Sequence, residues 1–365
     1  MKAATFFDGE GWRDGIIDLD GERMLLRDEP PASDLPFSDR PRLDGVIIGG
    51  FTDHHVHLQL VDHALLHRST LGRVVDLGAN PAVIATLSAA LRGAKIASAD
   101  PCGAKNASES TFSGAFLTPH GMTTPHETPR RTSHPVSVEF AGAFLTPVGG
   151  YPSDRHWAPA GSFREIADTA TAERAVGEMA DAGASCIKVA SNSSAGPVFS
   201  DLLFRAIVEA AAARGLPVVA HVEGAGEARR TALLGAARLA HAPFTERLDD
   251  AELVAQAASV SWISTLAIHD ADGETRSTAV DNVRRFHEAG GTVLYGTDMG
   301  NGPTPVDLNP AELAALRDGG IDGTDLLRAL APQNPLDPAS LLLRLPATDA
   351  DPTLARPLTS ADLKA

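Results

Sequence analysis

Short apolar runs alternate with amphipathic segments along most of the chain. The apolar runs are typical of β-strands, and they cover residues 45–52, 73–78, 138–146, 185–190, 217–222, 238–242, 261–268 and 292–297. Helical patterns fall between most of them, over residues 81–91, 171–182, 201–214, 248–257, 279–289 and 310–317. Eight strands that alternate with helices predict an α/β protein whose parallel sheet closes into a (βα)8 barrel, the TIM-barrel architecture.

The segments on either side of this pattern predict the domain organisation. Residues 1–44 hold only short apolar runs between Gly, Asp and Pro, which predicts a small β-rich cap. The barrel domain is then expected over residues 45–335, and residues 336–365 form a C-terminal tail that could join the cap. An open, doubly wound sheet is the alternative, but no Gly-x-Gly-x-x-Gly motif follows an early strand.

One segment, over residues 98–135, breaks the alternation. It is rich in Ser, Thr, Pro, His and Gly, and it shows no hydrophobic periodicity. Its residues 114–119 read Gly-Ala-Phe-Leu-Thr-Pro, a sequence that recurs at residues 142–147. The second copy suits the third barrel strand, because a helix and a fourth strand follow it. The irregular segment is expected to be either a lid over the active-site mouth or a disordered insertion.

Composition and charge narrow the range of functions. The chain has 365 residues and a formal net charge of −16, which disfavours binding to nucleic acid or anionic membranes. No stretch is long and apolar enough to cross a bilayer, and the N-terminus turns polar too early for a signal peptide. The two cysteines make no disulfide framework, which favours a reducing cytoplasm. A small-molecule partner is expected, and a homo-oligomer is left open.

The first candidate chemistry lies where the first apolar run ends. His55 and His57 are two residues apart, so on a strand both side chains point to the same face. Neutral imidazoles are good zinc ligands, and Val56 between them can pack on the opposite side. A His-x-His pair alone is a weak signal, so the hypothesis of a metal site depends on the rest of the chain.

A lysine inside the fourth apolar run is the second unusual feature. The chain has five lysines against 26 arginines, and Ile187 and Val189 suit the outer face of a barrel strand, which leaves Lys188 pointing inward. A bare ammonium is costly there. Lys188 is therefore either a snorkelling or salt-bridged lysine, or a lysine whose amine has reacted with carbon dioxide. Burial lowers the pKa of a lysine, which makes the neutral amine available for that reaction.

Three more strands end in possible metal ligands. His221 ends the fifth apolar run, His241 the sixth and Asp298 the eighth. Taken alone, each residue could have a purely structural role, because a histidine can donate a hydrogen bond to a backbone carbonyl and an aspartate can cap a helix. With the earlier candidates they place six ligand-type side chains at the ends of five strands. In such barrels the active site lies at the C-terminal ends of the strands.

With these residues the chain resembles the amidohydrolase superfamily, in the branch of imidazolonepropionase-related amidohydrolases that includes metal-dependent dipeptidases. The resemblance runs from about residue 45 to residue 301, and its most specific parts are residues 50–57, 182–189, 213–221 and 296–298. It implies two divalent metal ions, expected to be zinc. The implied ligands are His55, His57 and Asp298 for one ion, His221 and His241 for the other, and an N-carboxylated Lys188 that bridges them.

The chain departs from that pattern in two places. His54 stands where a small residue is usual, and it should face away from the metals. The segment 341–345 is followed by a short polar tail, so the C-terminal contribution to the cap is expected to be shortened or missing.

The resemblance implies hydrolysis of an amide bond in a dipeptide-like compound, an N-acyl amino acid or a cyclic amide. A hydroxide between the metals would attack the carbonyl, and Asp298 would pass the water's proton to the departing amine. The alternatives are a lactonase or phosphotriesterase, a one-metal deaminase and a non-catalytic scaffold. A deaminase of this fold wants a glutamate three residues after His221, where the chain has Gly224, and Glu223 is one residue short.

Substrate contacts are harder to predict, because specificity lies in the loops that follow the strands. The residues that could touch a substrate are Tyr151 after the third strand, Asn192 after the fourth and His269 after the seventh. The arginines that could recognise a carboxylate are Arg130, Arg131 and Arg155.

Overall fold

The computed structural model describes residues 1–21, 23–28, 40–93 and 134–364. Most of the irregular segment over 98–135 lies outside these ranges, and so do its Gly-Ala-Phe-Leu-Thr-Pro copy, Arg130 and Arg131. Within the described ranges, none of the helices has the length and hydrophobicity needed to cross a bilayer.

The described residues form strands and helices that alternate over most of the chain. The strands are β1 (Lys2–Phe7), β2 (Trp12–Asp20), β3 (Arg23–Arg27), β4 (Arg42–Gly49), β5 (Phe51–Val56), β6 (Leu71–Asp76), β7 (Ser137–Phe140), β8 (Phe144–Pro147), β9 (Phe163–Ile166), β10 (Ile187–Asn192), β11 (Val218–Glu223), β12 (Arg238–Leu239), β13 (Ser261–Ile263), β14 (Val293–Leu294), β15 (Leu342–Leu345) and β16 (Arg356–Pro357). The α-helices are α1 (Pro81–Arg92), α2 (Thr169–Asp181), α3 (Asp201–Ala212), α4 (Glu227–Leu233), α5 (Asp250–Ala257), α6 (Gly273–Glu288), α7 (Pro310–Asp318), α8 (Gly323–Ala329) and α9 (Ser360–Lys364).

The parallel strands follow one another in chain order, except that β9 lies beyond β8 at a sheet edge. One sheet has the order β5-β6-β7, and the other has the order β14-β13-β12-β11-β10-β8-β9. Strands β7 and β8 are consecutive in the chain and connect the two sheets through a turn at Gly142, whose φ is 77°. At the other end, the His54 amide donates to the Tyr295 carbonyl (3.0 Å) and the His57 amide to the Met299 carbonyl (2.7 Å). Backbone contacts therefore lead from β14 back to β5.

The second layer of the fold is a mixed sheet made from both ends of the chain. Its order is β16-β15-β4-β1-β2-β3, and β15 runs antiparallel to β4 with Leu343 opposite Ile48. Phe6, Ile17 and Ile47 are buried in its own apolar cluster. The C-terminal segment thus contributes two short strands, β15 and β16, to this sheet.

Several predicted strand boundaries were wrong. The run over 45–52 is two strands: β4, which belongs to the mixed sheet, and β5, which begins the parallel set. Both are buried, so hydrophobicity alone shows no break between them. The run over 138–146 is likewise divided at Gly142 into β7 and β8. The predicted domain boundary at residue 44 falls inside β4.

The last three predicted strands are much shorter in the structure, because they give way to loops. Strands β12, β13 and β14 end at Leu239, Ile263 and Leu294, and the segments after them carry His241, Thr265 and Asp298.

Helix positions agree better with the sequence, because capping residues mark several starts. Asn80 accepts a hydrogen bond from the Ala82 amide at the start of α1, as its Asn-Pro sequence predicted. Helix α6 begins at Gly273, six residues before the predicted start, after the cap Asp272. Its first turns are polar and therefore lie outside the hydrophobic pattern. Helices α4, α8 and α9 were not predicted.

Candidate metal centre

The ligand-type side chains that the sequence singled out lie around one cavity of about 450 Å³. They come from β5, β10, β11 and the loops after β12 and β14. The set consists of His55, His57, Lys188, His221, His241 and Asp298, each buried. Residues that are up to 243 positions apart in the chain (Asp298 and His55) therefore share one cavity wall.

Asp298 lies at the centre of the histidines. Its Oδ1 is 3.3 Å from His55 Nε2 and 3.1 Å from His57 Nε2, yet it makes no hydrogen bond with any described residue. One ligand atom each from His55, His241 and Asp298 lie within 4.8 Å of one another. The rings of His221 and His241 have centroids 4.9 Å apart, so the histidines form a continuous group.

The imidazole orientations leave ring nitrogens available to a cation. His55 Nδ1 lies 2.8 Å from the Ala240 carbonyl, and His57 Nδ1 lies 3.2 Å from the Gly78 carbonyl. A carbonyl only accepts hydrogen bonds, so these rings carry their proton on Nδ1 and keep a lone pair on Nε2. This is the usual way in which a backbone group fixes the tautomer of a metal-binding histidine.

Lys188 is buried without a polar partner. Its Nζ makes no hydrogen bond or salt bridge with any residue in the described ranges, and it lies 5.7 Å from the centre of the Phe144 ring. The ammonium therefore neither snorkels to solvent nor pairs with a carboxylate there. Burial lowers the pKa of Lys188 to about 7, so an appreciable fraction of the amine is neutral near physiological pH.

Burial also sets the charge of the histidines. It lowers the pKa of His55 and His241 well below 6.5, and it lowers the pKa of His221 as well. For His57, burial is outweighed by Asp298, which raises its pKa. Burial alone would raise the pKa of Asp298, but His55 and His57 hold that pKa well below 3.8. The shifts therefore favour the neutral form for the imidazoles of His55, His221 and His241, whereas His57, beside the ionised Asp298, is protonated more readily than a free histidine.

The backbone at Asp298 is held in an unusual conformation. Asp298 has a φ of 53°, in the left-handed region that non-glycine residues rarely occupy. The buried Asp53 stabilises the loop, because its carboxylate accepts hydrogen bonds from the Thr297 hydroxyl (2.5 Å), the Thr297 amide (3.1 Å) and the His55 amide (3.0 Å). Asn301 Nδ2 donates to Asp298 Oδ2 at 2.9 Å. These contacts fix the carboxylate relative to the His-x-His pair.

A second buried carboxylate supports His241. Thr265, with a φ of 44°, places its hydroxyl 2.8 Å from His241 Nδ1. The next two amides, of Leu266 and Ala267, donate to the carboxylate of Glu312 at 2.9 and 2.7 Å. Neither Asp53 nor Glu312 was singled out in the sequence. The sequence signal for each of them was an acidic residue next to or within an apolar segment.

The predicted substrate contacts divide into two groups. Tyr151 lines the cavity, and its ring stacks on His221 with centroids 5.0 Å apart. Asn192 and His269 do not line it: Asn192 Nδ2 donates to Glu223 (2.7 Å), and His269 packs on Phe244 (4.4 Å between centroids). Each thus contacts a residue of the wall instead.

Other predicted side chains lie outside the cavity wall. His54 does not line the cavity, as expected, and both of its ring nitrogens are buried without a hydrogen bond to any described residue. Arg155 lies over the Tyr151 ring at 5.6 Å and pairs with Asp154 at 3.3 Å.

Comparison with solved structures shows which folds this one resembles. The similar structures include a Xaa-Pro dipeptidase, a prolidase and an amidohydrolase, in agreement at the level of the fold with the resemblance predicted from the sequence.

Three of these structures define the likeness. A Xaa-Pro dipeptidase with bound methionine in its active site has a TM-score of 0.62 and 17% identity, covering 90% of this chain and 85% of the other. The ochratoxinase of A. niger has a TM-score of 0.62 and 15% identity, covering 97% and 94%. Molinate hydrolase has a TM-score of 0.61 and 14% identity, covering 96% and 89%. At such identities the likeness concerns the fold alone. No protein-family model and no curated protein matches the chain.

Proposed function

We propose that this protein is a metal-dependent hydrolase that cleaves an amide bond in a small molecule. The observation that carries this proposal is the convergence of six ligand-type side chains on one cavity, with the Lys188 amine, His221 Nε2 and Asp298 Oδ1 all buried and without hydrogen bonds in the described part of the chain. Similar structures bear the names dipeptidase, ochratoxinase and molinate hydrolase, which favours carbon–nitrogen or related acyl bonds.

The architecture proposed for this function is a closed (βα)8 barrel. The parallel strand order and the backbone hydrogen bonds from the segment after β14 to β5 support closure. The mixed sheet then serves as a cap built from β1 to β4 and the C-terminal strands β15 and β16. In such a barrel the cavity lies at the C-terminal ends of the strands, where active sites of this architecture are found.

The donor set fits zinc. Imidazole nitrogens and carboxylate oxygens are the ligands that zinc takes at catalytic centres, and the buried atoms without partners would be satisfied by a cation. His55, His57 and Asp298 would hold one ion, and His221 and His241 a second. The neutral amine of Lys188 can add carbon dioxide, and the resulting carbamate would supply the shared anionic ligand. Divalent cations bound there would lower the pKa of a water molecule and polarise the scissile carbonyl.

The chain's own residues then move the proton. Asp298 accepts a proton from the attacking water at Oδ1, the oxygen that accepts no hydrogen bond from a described residue. Asn301 holds the other oxygen, Oδ2, and so fixes the direction of the carboxylate. Asp298 next donates the proton to the nitrogen of the leaving amine. The ring of Tyr151, stacked on His221, closes one side of the space in which the amide would lie.

Metal analysis tests the proposal directly. Protein stripped with a chelator should be inactive, and zinc should restore turnover with about two ions bound per chain. One ion per chain would favour a mononuclear centre built on the compact group of His55, His241 and Asp298. Turnover that persists in protein shown by elemental analysis to lack transition metals would refute the proposal.

A substrate panel tests the bond that is cleaved. Amides, lactones and phosphotriesters of similar size should be assayed with the zinc-loaded protein, and we expect turnover of amides. Asp298→Asn should lower kcat by about 10²- to 10⁴-fold, because the amide cannot accept the proton. The matched control is Asp270→Asn, which removes a carboxylate from a residue that does not line the cavity. Full activity in Asp298→Asn would reject the assigned role.

A further inference from the structure

The carboxylate of Glu223 has no part in the proposed chemistry, although it lines the cavity. Its side chain is 31% exposed, whereas that of Asp298 is 5% exposed. Asn192 Nδ2 donates to Oε2 of Glu223 (2.7 Å), and His221 Nε2 lies 3.5 Å from the same oxygen. No residue in the described ranges donates a hydrogen bond to Oε1. Glu223 is thus anchored through one oxygen and keeps the other available to a ligand.

The charge of Glu223 is not balanced by a cation of the described cavity wall. Its side chain is partly exposed to solvent, and a glutamate in such a position is ionised at neutral pH. Lys188 is the only lysine or arginine among the described lining residues, and its Nζ makes no hydrogen bond with Glu223 or with any other residue in the described ranges. The guanidinium of Arg155, over the Tyr151 ring, is paired with Asp154. An ionised, partly desolvated carboxylate of this kind favours a positively charged ligand.

The rest of the wall suits an organic cation. The aromatic residues that line the cavity are Phe144, Tyr151, Trp157 and Phe244. Tyr151 and Trp157 have ring centroids 6.1 Å apart, and Trp157 is 46% exposed, so this pair extends from the buried histidines towards solvent. Aromatic faces attract ammonium groups, and they also pack against apolar substituents.

We propose that Glu223 makes the cavity selective for aminoacyl amides with a free α-ammonium group, in which the protonated amine is close to the scissile carbonyl. The inference rests on the proposed hydrolase function of the same cavity. Because Glu223 Oε2 lies 3.5 Å from His221 Nε2, an ammonium bound to this carboxylate is close to the proposed reaction centre. N-acylation removes the charge and leaves one amide N–H in place of three ammonium donors, so the carboxylate loses its charged partner, which is costly.

Ligand binding tests this selectivity without requiring turnover. The zinc-loaded protein should be titrated calorimetrically at pH 7 with phenylalaninamide, and separately with N-acetylphenylalaninamide as the uncharged counterpart. We expect phenylalaninamide to bind at least about 10-fold more tightly than N-acetylphenylalaninamide, because only its ammonium group can form a hydrogen bond between charged groups with Glu223. In Glu223→Gln this ratio should fall to about 1. Equal affinities in the native protein, a preference for the acetylated compound, or no measurable binding of the amine would overturn the inference.

A control variant and a metal measurement separate a local effect of the Glu223 carboxylate from a change in overall charge and from loss of zinc. Asp270→Asn removes a negative charge outside the cavity wall, and it should keep the native ratio. If Asp270→Asn lost the preference as fully as Glu223→Gln, the effect would be one of overall charge, and the inference would be wrong. Both variants should retain the native zinc content. Loss of zinc from Glu223→Gln would show that the carboxylate is a metal ligand, which would also overturn the inference.

Ammonia release from phenylalaninamide separates this inference from the proposed function. Selective binding with release of ammonia supports both. Selective binding that depends on Glu223, without hydrolysis of any amide in the panel, would leave the cation site established and count against the hydrolase. Hydrolysis of free and acetylated amides with equal kcat/KM in native protein would support the hydrolase and overturn the selectivity.

Discussion

At the scale of single residues, the informative feature is a set of polar atoms that the fold leaves without partners. Within the described ranges six buried side-chain nitrogen or oxygen atoms lack hydrogen bonds, and three of them, on Lys188, His221 and Asp298, line the same cavity. Each such atom costs about 1–3 kcal/mol when it stays unsatisfied. Because the cost is concentrated in one place, we infer that a ligand offsets it. Cations would satisfy His221 Nε2 and Asp298 Oδ1, and carbamate formation would convert the Lys188 amine into an anionic ligand for them.

Lys188 gives a prediction at this scale that depends on carbon dioxide. If its amine forms a carbamate, metal-stripped protein should regain zinc and activity slowly in buffer depleted of carbon dioxide, and bicarbonate should accelerate the recovery. Lys188→Arg should take up less zinc and should not respond to bicarbonate, because a guanidinium stays protonated at neutral pH. The measurement is zinc content and turnover against time. Recovery of the native protein at the same rate with and without bicarbonate would contradict the carbamate.

At the scale of elements, the site depends on how two segments are held together. Strand β5 carries His55, His57 follows directly after its end, and the loop after β14 carries Asp298. Asp53 joins them through its hydrogen bonds to the His55 amide, the Thr297 amide and the Thr297 hydroxyl. The same short segment of β5 therefore supplies both side chains that would bind the cation and a carboxylate that positions them.

The role of Asp53 can be tested by metal affinity. Asp53→Asn should weaken zinc binding by about 10- to 100-fold, as does loss of other groups that orient metal ligands. Thr297→Val, which removes the hydroxyl, should weaken it in the same direction, whereas Thr297→Ser should preserve it. Circular dichroism checks that the variants are folded. Native zinc affinity in folded Asp53→Asn would show that the contact does not position the ligands.

The raised pKa of Glu312, whose carboxylate holds the segment that contacts His241, predicts that the stability of the protein depends on pH. Burial raises the pKa of Glu312 from 4.5 to about 7, so between these values the folded protein holds a proton that the unfolded chain has released. Stability contributed by this group is therefore full below pH 4.5 and is lost as the pH rises towards 7. Relative to Glu312→Gln, the free energy of unfolding of the metal-free native protein should fall by about 1.4 kcal/mol per pH unit in that interval. Urea unfolding of both proteins at a series of pH values measures this difference in the free energy of unfolding. A difference that stays constant between pH 4.5 and 7 would contradict the raised pKa of Glu312.

The elements also show what could be predicted from the sequence and what could not. The six ligand-type residues were identified because each follows or interrupts an apolar run, and that local signal survives errors in strand length. The division of residues 45–52 was missed, because β4 and β5 are both buried and differ only in the sheet they join. The roles of Glu223, Asp53 and Glu312 were missed because they depend on contacts with residues that are distant in the chain.

At the scale of the whole molecule, strands from the two ends of the chain pair with β4, directly before β5, the strand that carries His55. Strand β15 pairs with β4, and β4 is followed after Gly50 by β5. The position of the His-x-His pair is thus linked to the mixed sheet as well as to the parallel strands. A disturbance of the contact between β4 and β15 should lower the stability of the whole chain.

Gly45 is the residue at which this contact can be tested. It has a φ of 82°, and a Cβ built on it would lie 2.3 Å from the Leu345 carbonyl oxygen. Gly290 has almost the same φ, 83°, but nothing lies within 4 Å of its Cβ position, so it is a matched control. Gly290→Ala should lower the free energy of unfolding by about 1–2 kcal/mol, which is the cost of an L-residue in the left-handed region.

Gly45→Ala should cost that amount and about 1–3 kcal/mol more, because the new methyl group must displace the backbone of β15. Urea unfolding of both variants gives the difference. If the mixed sheet and the parallel strands unfold together, each variant should shift two urea midpoints by the same amount. These are the midpoint monitored by tryptophan fluorescence and the midpoint monitored by zinc release. Equal costs for the two variants would mean that β15 yields freely. The C-terminal strands would then contribute nothing to the position of β5.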